Sequence, residues 1–233
     1  MEGIQRLSRD AKELRIKSRH KFMKSFKSGF YDKNYKSWGR DLKWSAHEKW
    51  QEVLNKGLFR QLMADQNYEE IVARSMNIAS VSHLLSPREE RALREGVKIQ
   101  EGAELFAKGL YQLLYGTAEI EIRFGLWIES IEQLHQGEAL TWPVVTVFAF
   151  LAQPEIHAYY KPNVTENAAI NYGFDFKYQP KPNWSGYRDY LKLCEQVKLD
   201  LEDLRPRDMI DIESFLSLQA SGEGAGETPK YEH

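Results

Sequence analysis

A histidine and a lysine stand close together in a short segment that follows an apolar run, "FLAQPEIHAYYKPNVT". His157 could act as a general base, because an imidazole with an ordinary pKa exchanges protons near neutral pH. No nucleophile or oxyanion donor is recognisable near His157 or Lys161. Pro154 and Pro162 bracket the segment, and a corner between two helices needs aromatic side chains for packing and polar groups for its backbone. The sequence therefore favours a structural corner over a catalytic site.

A second set of ionisable side chains lies near the C-terminus, in "LRPRDMIDIESFL". Asp208 and Asp211 have the chemistry of acid–base groups or metal ligands. Their position at the start of a predicted helix favours a helix cap and a first-turn acid instead. The alternative is an enzyme, hydrolase or nuclease-like, with a site formed by His157, Lys161, Asp208 and Asp211. That alternative requires all four side chains to converge in one cleft.

Motifs for cofactors and metals are not recognisable in this sequence. The six histidines have no two members three, four or five residues apart, which leaves no local zinc pattern. The only cysteine, Cys194, lies between apolar residues at helical spacing and is predicted to be a buried thiol. Glycine-rich phosphate loops and a Gly-x-Ser-x-Gly elbow are also missing. The sequence predicts neither a metal nor a cofactor.

Charge is distributed unevenly along the 233 residues, whose formal net charge is −2. Residues 1–43 contain 13 Lys and Arg against 5 Asp and Glu, whereas the remainder is acidic. Lysines can neutralise phosphates and aromatic rings can stack on bases. This segment is therefore the predicted binding region, through Arg15, Lys17, Arg19, Lys21, Lys24, Lys27, Lys33, Tyr35, Lys36, Trp38 and Arg40.

The partner of this basic region is open at the level of sequence. A nucleic acid or a protein partner fits its composition, and so does docking onto the acidic remainder of the same chain or another copy. The aromatic residues could equally belong to the core, with the lysines forming a solvated face. We expect a binding or adaptor protein without catalytic activity that engages a protein or a nucleic acid through this region.

Helical periodicity and capping signals cover most of the chain and predict an all-α fold, as a single multi-helix domain with at most one short strand pair. The predicted organisation is a basic N-terminal helix and loop (1–43), a helical body (44–218) and a flexible tail (219–233). Helix starts are predicted at Ser45, Ser86, Thr141, Thr165, Asn183 and Asp208. Residues 30–44 are predicted to form an ordered loop, and "FDFKYQ" a short strand or an extended connector.

The expected location is the cytoplasm. The N-terminus lacks the apolar region of a secretory signal, and a single cysteine suits a reducing compartment. The longest apolar run, residues 142–152, is much shorter than the ~20 residues that span a bilayer. We therefore expect no contact with a membrane.

Several segments together resemble a family of hypothetical bacterial proteins. They are "YKSWGRDLKWSAHEKWQEVLN", "YEEIVARS", "TWPVVTVFAFLAQPEIHAYYKPNVT" and "PNWSGYRDYLKL…LRPRDMIDIESFL". The resemblance covers nearly the whole chain beyond residue 20, and the family has no assigned activity. The Arg-Asp-x-Ile-Asp-x-x-Ser-Phe ending is also similar to segments of bacterial restriction-type AAA+ systems, which implies an association with defence. Neither resemblance implies a catalytic residue.

Overall fold

The computed structural model describes residues 9–134 and 139–221, and its regular structure is entirely helical. The all-α, single-domain prediction is confirmed, with no β-strand in these two ranges. No helix of this part of the chain is long and apolar enough to cross a membrane. The helices are α1 (Arg9–Ser25), α2 (Lys33–Tyr35), α3 (Asp41–Val53), α4 (Lys56–Ala64), α5 (Tyr68–Ser82), α6 (Pro87–Gly96), α7 (Gly102–Tyr115), α8 (Ile120–Gln133), α9 (Trp142–Ala152), α10 (Pro162–Tyr172), α11 (Trp184–Asp200) and α12 (Met209–Ala220).

Two of these helices, α9 and α12, are buried along almost their whole length. All 11 residues of α9 are buried. Its one polar side chain, Thr146, donates a hydrogen bond to the Trp142 carbonyl and accepts one from the Tyr160 amide, so no polar group is left without a partner. Helix α12 is different, because Asp211, Glu213 and Ser214 are buried in it. Its sequence therefore requires polar partners inside the protein.

The other helices pack around these two. Helices α3, α5, α6, α7 and α8 contact α9, whereas α1, α10 and α11 contact α12. The N-terminal aromatic side chains belong to this packing, since Phe22, Phe26, Phe30 and Tyr35 are at most 1% exposed. Residues 1–43 are predicted to form a basic N-terminal helix and loop of the single domain. The part of them that the structure describes shares one hydrophobic core with the rest of the chain.

Local capping signals predicted helix starts well where they were strong. Ser86 and Glu89 form the predicted capping box at the start of α6. Thr141, Asn183 and Asp208 accept the expected backbone hydrogen bonds at the starts of α9, α11 and α12. These residues determine structure through neighbours two or three positions away, which is why sequence alone identifies them.

The loop predicted for residues 30–44 is wrong. Asp32 accepts a hydrogen bond from the Asn34 amide and starts a helical run that continues to Val53 through a π-helical turn at Lys36–Arg40. Ser45 therefore lies inside α3 and does not cap it. Gly39 does not interrupt the run. Its missing side chain instead allows close approach to α12, because a Cβ atom there would lie 3.0 Å from the Ser214 Cβ.

The start of α10 and the beginning of the predicted tail also differ from prediction. Helix α10 begins at Pro162, so Thr165 is a buried residue within it and not its cap. Helix α11 ends at Asp200, and a short 3₁₀ turn at Glu202–Leu204 follows before Pro206. Residues 174–179 are irregular, which confirms the extended connector over the strand. The predicted tail overlaps the end of α12, and its residues 222–233 lie outside the described part.

Two helical glycines, one tightly packed and one in open space, provide a test of the packing between α7 and α8. A Cβ atom on Gly109 in α7 would collide with Ser130 of α8 and lie 3.0 Å from Trp127, whereas one on Gly125 would meet nothing within 4 Å. We predict that Gly109→Ala lowers the free energy of unfolding by about 1–3 kcal/mol through overpacking. Gly125→Ala should raise it by up to about 1 kcal/mol through helix propensity. Urea unfolding measures both, and equal effects would contradict the α7–α8 contact.

Candidate functional site

The densest group of charged side chains in the described residues is buried between the π-helical turn and α12. Arg40 binds Asp208 through two parallel hydrogen bonds of 2.8 and 2.7 Å, and its Nη1 also lies 3.1 Å from Asp211 Oδ1. The side chains of Arg40, Asp208 and Asp211 are 7%, 5% and 0% exposed. Burial opposes the charge on Arg40, but the hydrogen bonds and charge of Asp208 raise the pKa of Arg40 overall.

A second arginine completes the surroundings of Asp211. The Arg207 guanidinium donates to both carboxylate oxygens of Asp211 at 2.8 Å, and the Arg207 amide donates to Oδ2 at 2.9 Å. The Tyr35 hydroxyl donates to Asp211 Oδ1 at 2.7 Å. Burial and the negative charge of Asp211 raise the pKa of Tyr35 well above its ordinary value. Asp211 thus accepts hydrogen bonds from two arginines and from the phenol of Tyr35.

A third ion pair extends the group along α12. Lys43 binds Glu213, and its ammonium also lies 3.0 Å from the Ser214 hydroxyl. That hydroxyl donates to the Gly39 carbonyl at 2.6 Å. Three cations and three carboxylates therefore form one group, which we call the buried charge network: Arg40, Lys43, Arg207, Asp208, Asp211 and Glu213. All of them are buried except Arg207, whose side chain is 26% exposed.

The buried charge network holds the start of α12 against the π-helical turn. Asp208 also accepts hydrogen bonds from the Ile210 and Asp211 amides, which makes it both an arginine partner and the cap of α12. Charged groups are buried at low cost only when paired and hydrogen-bonded, and removal of one partner from such a pair is strongly destabilising. The contacts of Asp208 and Asp211 thus match the structural interpretation of these two residues.

His157 is buried at the corner between α9 and α10, as the sequence favoured. Its side chain is 3% exposed, and its Nδ1 lies 3.5 Å from the Tyr187 hydroxyl. That hydroxyl donates to the Ala158 carbonyl and accepts from the Ala158 amide, so Tyr187 holds the corner backbone. Burial, with a smaller effect of the Arg123 charge, lowers the pKa of His157 to about 4. His157 is therefore neutral at pH 7.

The four residues of the alternative enzyme site have separate surroundings. The Met209 amide donates to the Pro154 carbonyl at 2.8 Å, which connects the corner to the start of α12. No hydrogen bond or ion pair within residues 9–134 and 139–221 joins His157 to Asp208 or Asp211. Lys161 is exposed at the start of α10. The described contacts therefore show no shared site among these side chains.

Several of the residues predicted to bind a partner instead contact other residues of the same chain. Tyr35 and Arg40 belong to the buried charge network. Arg15 pairs with Asp200 at 2.9 Å and Arg19 with Asp203 at 2.6 Å. Lys21 donates to the carbonyls of Leu218 and Ser221 at the C-terminal end of α12, where a cation also complements the helix dipole. Trp38 is half-buried and its ring lies 5.3 Å from that of Phe26.

The other five predicted residues are exposed: Lys17, Lys24, Lys27, Lys33 and Lys36. We call them the lysine surface. Among the described residues, Lys24, Lys27, Lys33 and Lys36 have no ion-pair partner. Arg9 and Lys12 are also exposed on α1, against two exposed acids, Asp10 and Glu13. The surface of this segment is therefore strongly positive although its arginines are largely neutralised.

The aromatic residues of the same segment are poorly placed for base stacking. Phe22, Phe26, Phe30 and Tyr35 are buried. Tyr31 is 50% exposed, but its hydroxyl donates to the Arg205 carbonyl and the Arg207 guanidinium lies 5.1 Å from its ring centre. The sequence could not separate lysines from aromatics in this way, because the separation depends on which helix face meets α12.

Sequence analysis did not detect a groove between α5 and the start of α7, which has a volume of about 960 Å³. Its walls come from residues 68–80 and 94–104, and no local motif marks it. No group of three or more metal-ligating His, Cys, Asp or Glu side chains occurs in the described parts of the chain.

Comparisons of the chain with protein-family models, curated proteins and solved structures find no match. The resemblance to a bacterial family remains a prediction.

The buried histidine predicts acid sensitivity. In the unfolded chain His157 should titrate near 6.5, whereas in the folded protein its pKa is about 4. Between these values the unfolded state binds more protons, so stability falls as pH decreases through 6.5. We expect this residue alone to remove about 2 kcal/mol between pH 7.5 and pH 5.

Urea unfolding at both pH values, for the natural protein and for His157→Gln, measures this contribution. The variant should lose less stability than the natural protein over the same pH range, whatever its stability at pH 7.5. An identical loss in both proteins would show that His157 is protonated in the folded state.

Proposed function

We propose that this chain is a binding or adaptor protein that engages the phosphate backbone of a nucleic acid through its lysine surface. The observation that carries the proposal is the set of exposed ammonium groups of Lys24, Lys27, Lys33 and Lys36, which have no ion-pair partner among the described residues. Each of these lysines can neutralise a phosphate and release a counterion. The surrounding arginines are already occupied in internal pairs.

The mode of recognition follows from the positions of the aromatic side chains. Proteins that prefer single strands stack bases on exposed aromatic rings. Here those rings are buried or covered, which supports contacts to phosphates and not to bases. We therefore propose binding with little dependence on sequence and no preference for single strands.

The alternative enzyme receives less support. Its candidate general base is buried and neutral, its two candidate acids are held by arginines, and Lys161 is exposed without a described partner among them. A cytoplasmic location is part of our proposal, because nucleic acids are accessible there. An association with bacterial defence or restriction systems rests on the resemblance of the C-terminal segment alone.

Substitutions of exposed lysines test the proposal. Deletion of residues 1–43 is unsuitable, because it would remove buried core side chains and Arg40. We would replace Lys24, Lys27, Lys33 and Lys36 together by Gln. The matched control replaces four exposed lysines elsewhere, namely Lys108, Lys177, Lys181 and Lys192. Both variants change the net charge equally.

Binding to a 20-base-pair DNA duplex, to single-stranded DNA and to RNA should be measured across a salt series. We expect the affinity of the natural protein to fall steeply with salt, and the slope for duplex DNA to flatten by about four in the first variant. The control should retain most of the slope. Equal loss in both variants would contradict the proposal.

Polyglutamate is the competitor that separates a nucleic acid from an acidic protein partner. If polyglutamate binds the natural protein with the same dependence on Lys24, Lys27, Lys33 and Lys36 while none of the nucleic acids binds, the nucleic-acid proposal is wrong. Displacement of bound DNA by heparin but not by polyglutamate at equal charge concentration would support it.

A further inference from the structure

We propose that the groove between α5 and α7 is a second binding site, which takes a short segment of a partner protein containing Lys or Arg beside an apolar side chain. The groove encloses about 960 Å³ and is open to solvent along one side. Helix α5 forms one wall. The opposite wall is formed by the end of α6, the turn after it and the start of α7. Nothing in the proposed function assigns this site.

The lining of the groove is apolar at its base. Val72 and Met76 of α5 are 8% and 3% exposed, and Val97 and Ala103 face them from the opposite wall. Ile99 is 37% exposed at the rim. A methionine and branched aliphatic side chains form an adaptable apolar surface, which suits a leucine or methionine of a partner.

The charged residues around this apolar base determine which charge a partner segment must have. Five charged residues line the groove, and three of them are already paired: Arg94 with Glu90, Lys98 with Glu95, and Glu104 with Lys108. The other two, Glu69 and Glu101, are exposed and form no ion pair within 4 Å among the described residues, although the Glu101 charge also contributes to raising the pKa of Lys108. The charges that remain for a ligand are therefore both negative, and a cationic segment is complementary to them.

The backbone at Glu101 supports a role for its side chain. Glu101 has a φ of +64°, in the left-handed region that glycine adopts more easily than other residues. The adjacent Gly102 packs so closely on α6 that a Cβ atom there would lie 2.7 Å from the Gly96 carbonyl oxygen. The tight turn thus places a carboxylate at the groove at a conformational cost that glycine would avoid.

A matched pair of peptides provides the probe. One is a 12-residue peptide of Arg-Leu pairs separated by alanines, and the other has Glu in place of every Arg. We expect the Arg peptide to bind the full chain and to shift amide resonances of residues 68–80 and 97–104 in ¹⁵N NMR spectra. The Glu peptide should not bind. Shifts confined to other residues, or equal binding of both peptides, would overturn the proposal.

Substitutions at the rim separate charge recognition from loss of folding. Glu69→Gln and Glu101→Gln together should weaken binding of the Arg peptide at least tenfold, whereas Glu195→Gln, an exposed change on α11, should leave it unchanged. Glu101→Gly should also weaken binding while the melting temperature stays the same or rises, because glycine relieves the positive φ. Unchanged affinity in the double variant would contradict the proposal.

The two proposed sites are tested independently. The variant lacking four lysines of the lysine surface should bind the Arg peptide as the natural protein does. If instead both sites failed in that variant while the protein remained folded, the groove would not be a separate site and the inference would be wrong.

Discussion

The buried ion pair between Arg40 and Asp208 is the interaction on which the arrangement of this protein depends. It lies inside the protein, together with three further charged side chains, and connects the π-helical turn to α12. Burial of charges is costly, so such a pair is retained only when its geometry and hydrogen bonds are nearly complete. Both conditions hold here, because Asp208 also caps α12 and Asp211 is shared by two arginines.

The same network explains why the sequence was informative about local structure and misleading about the N-terminal segment. Ser86 and Thr141 act on amides three positions away, so their effect is visible in the sequence. Arg40 and Asp208 are 168 residues apart, and nothing near Arg40 indicates that its partner is internal. Composition therefore presented a uniform basic region, whereas folding encloses Arg15 and Arg40 in ion pairs and leaves most of the predicted lysines exposed. Helix α12 was recognised by its cap, but its burial along almost its whole length was not.

This division also shapes the functional proposals. Side chains that could do acid–base chemistry are buried and paired, which supports a structural use for Asp208, Asp211 and His157. The two proposals rest on accessible groups of two kinds, ammonium groups on α1 and the turns after it, and carboxylates beside an apolar groove. Both kinds are suited to binding by charge. The five residues of the lysine surface were all predicted from the sequence to bind a partner. The groove has no sequence signal, because it arises from the packing of α5 against the start of α7.

The free energy of unfolding of Arg40→Met, compared with that of Arg19→Met, tests the central claim most directly. Arg40 and Arg19 both form paired hydrogen bonds with an aspartate, but Arg40 and its partner are buried, whereas Arg19 and Asp203 are 37% and 63% exposed. We predict a loss of about 3–5 kcal/mol for Arg40→Met, because two buried carboxylates lose a counter-charge. Arg19→Met should cost less than about 1 kcal/mol, since water screens that pair. Equal, small losses would show that the basic segment is not fixed to the core by this network.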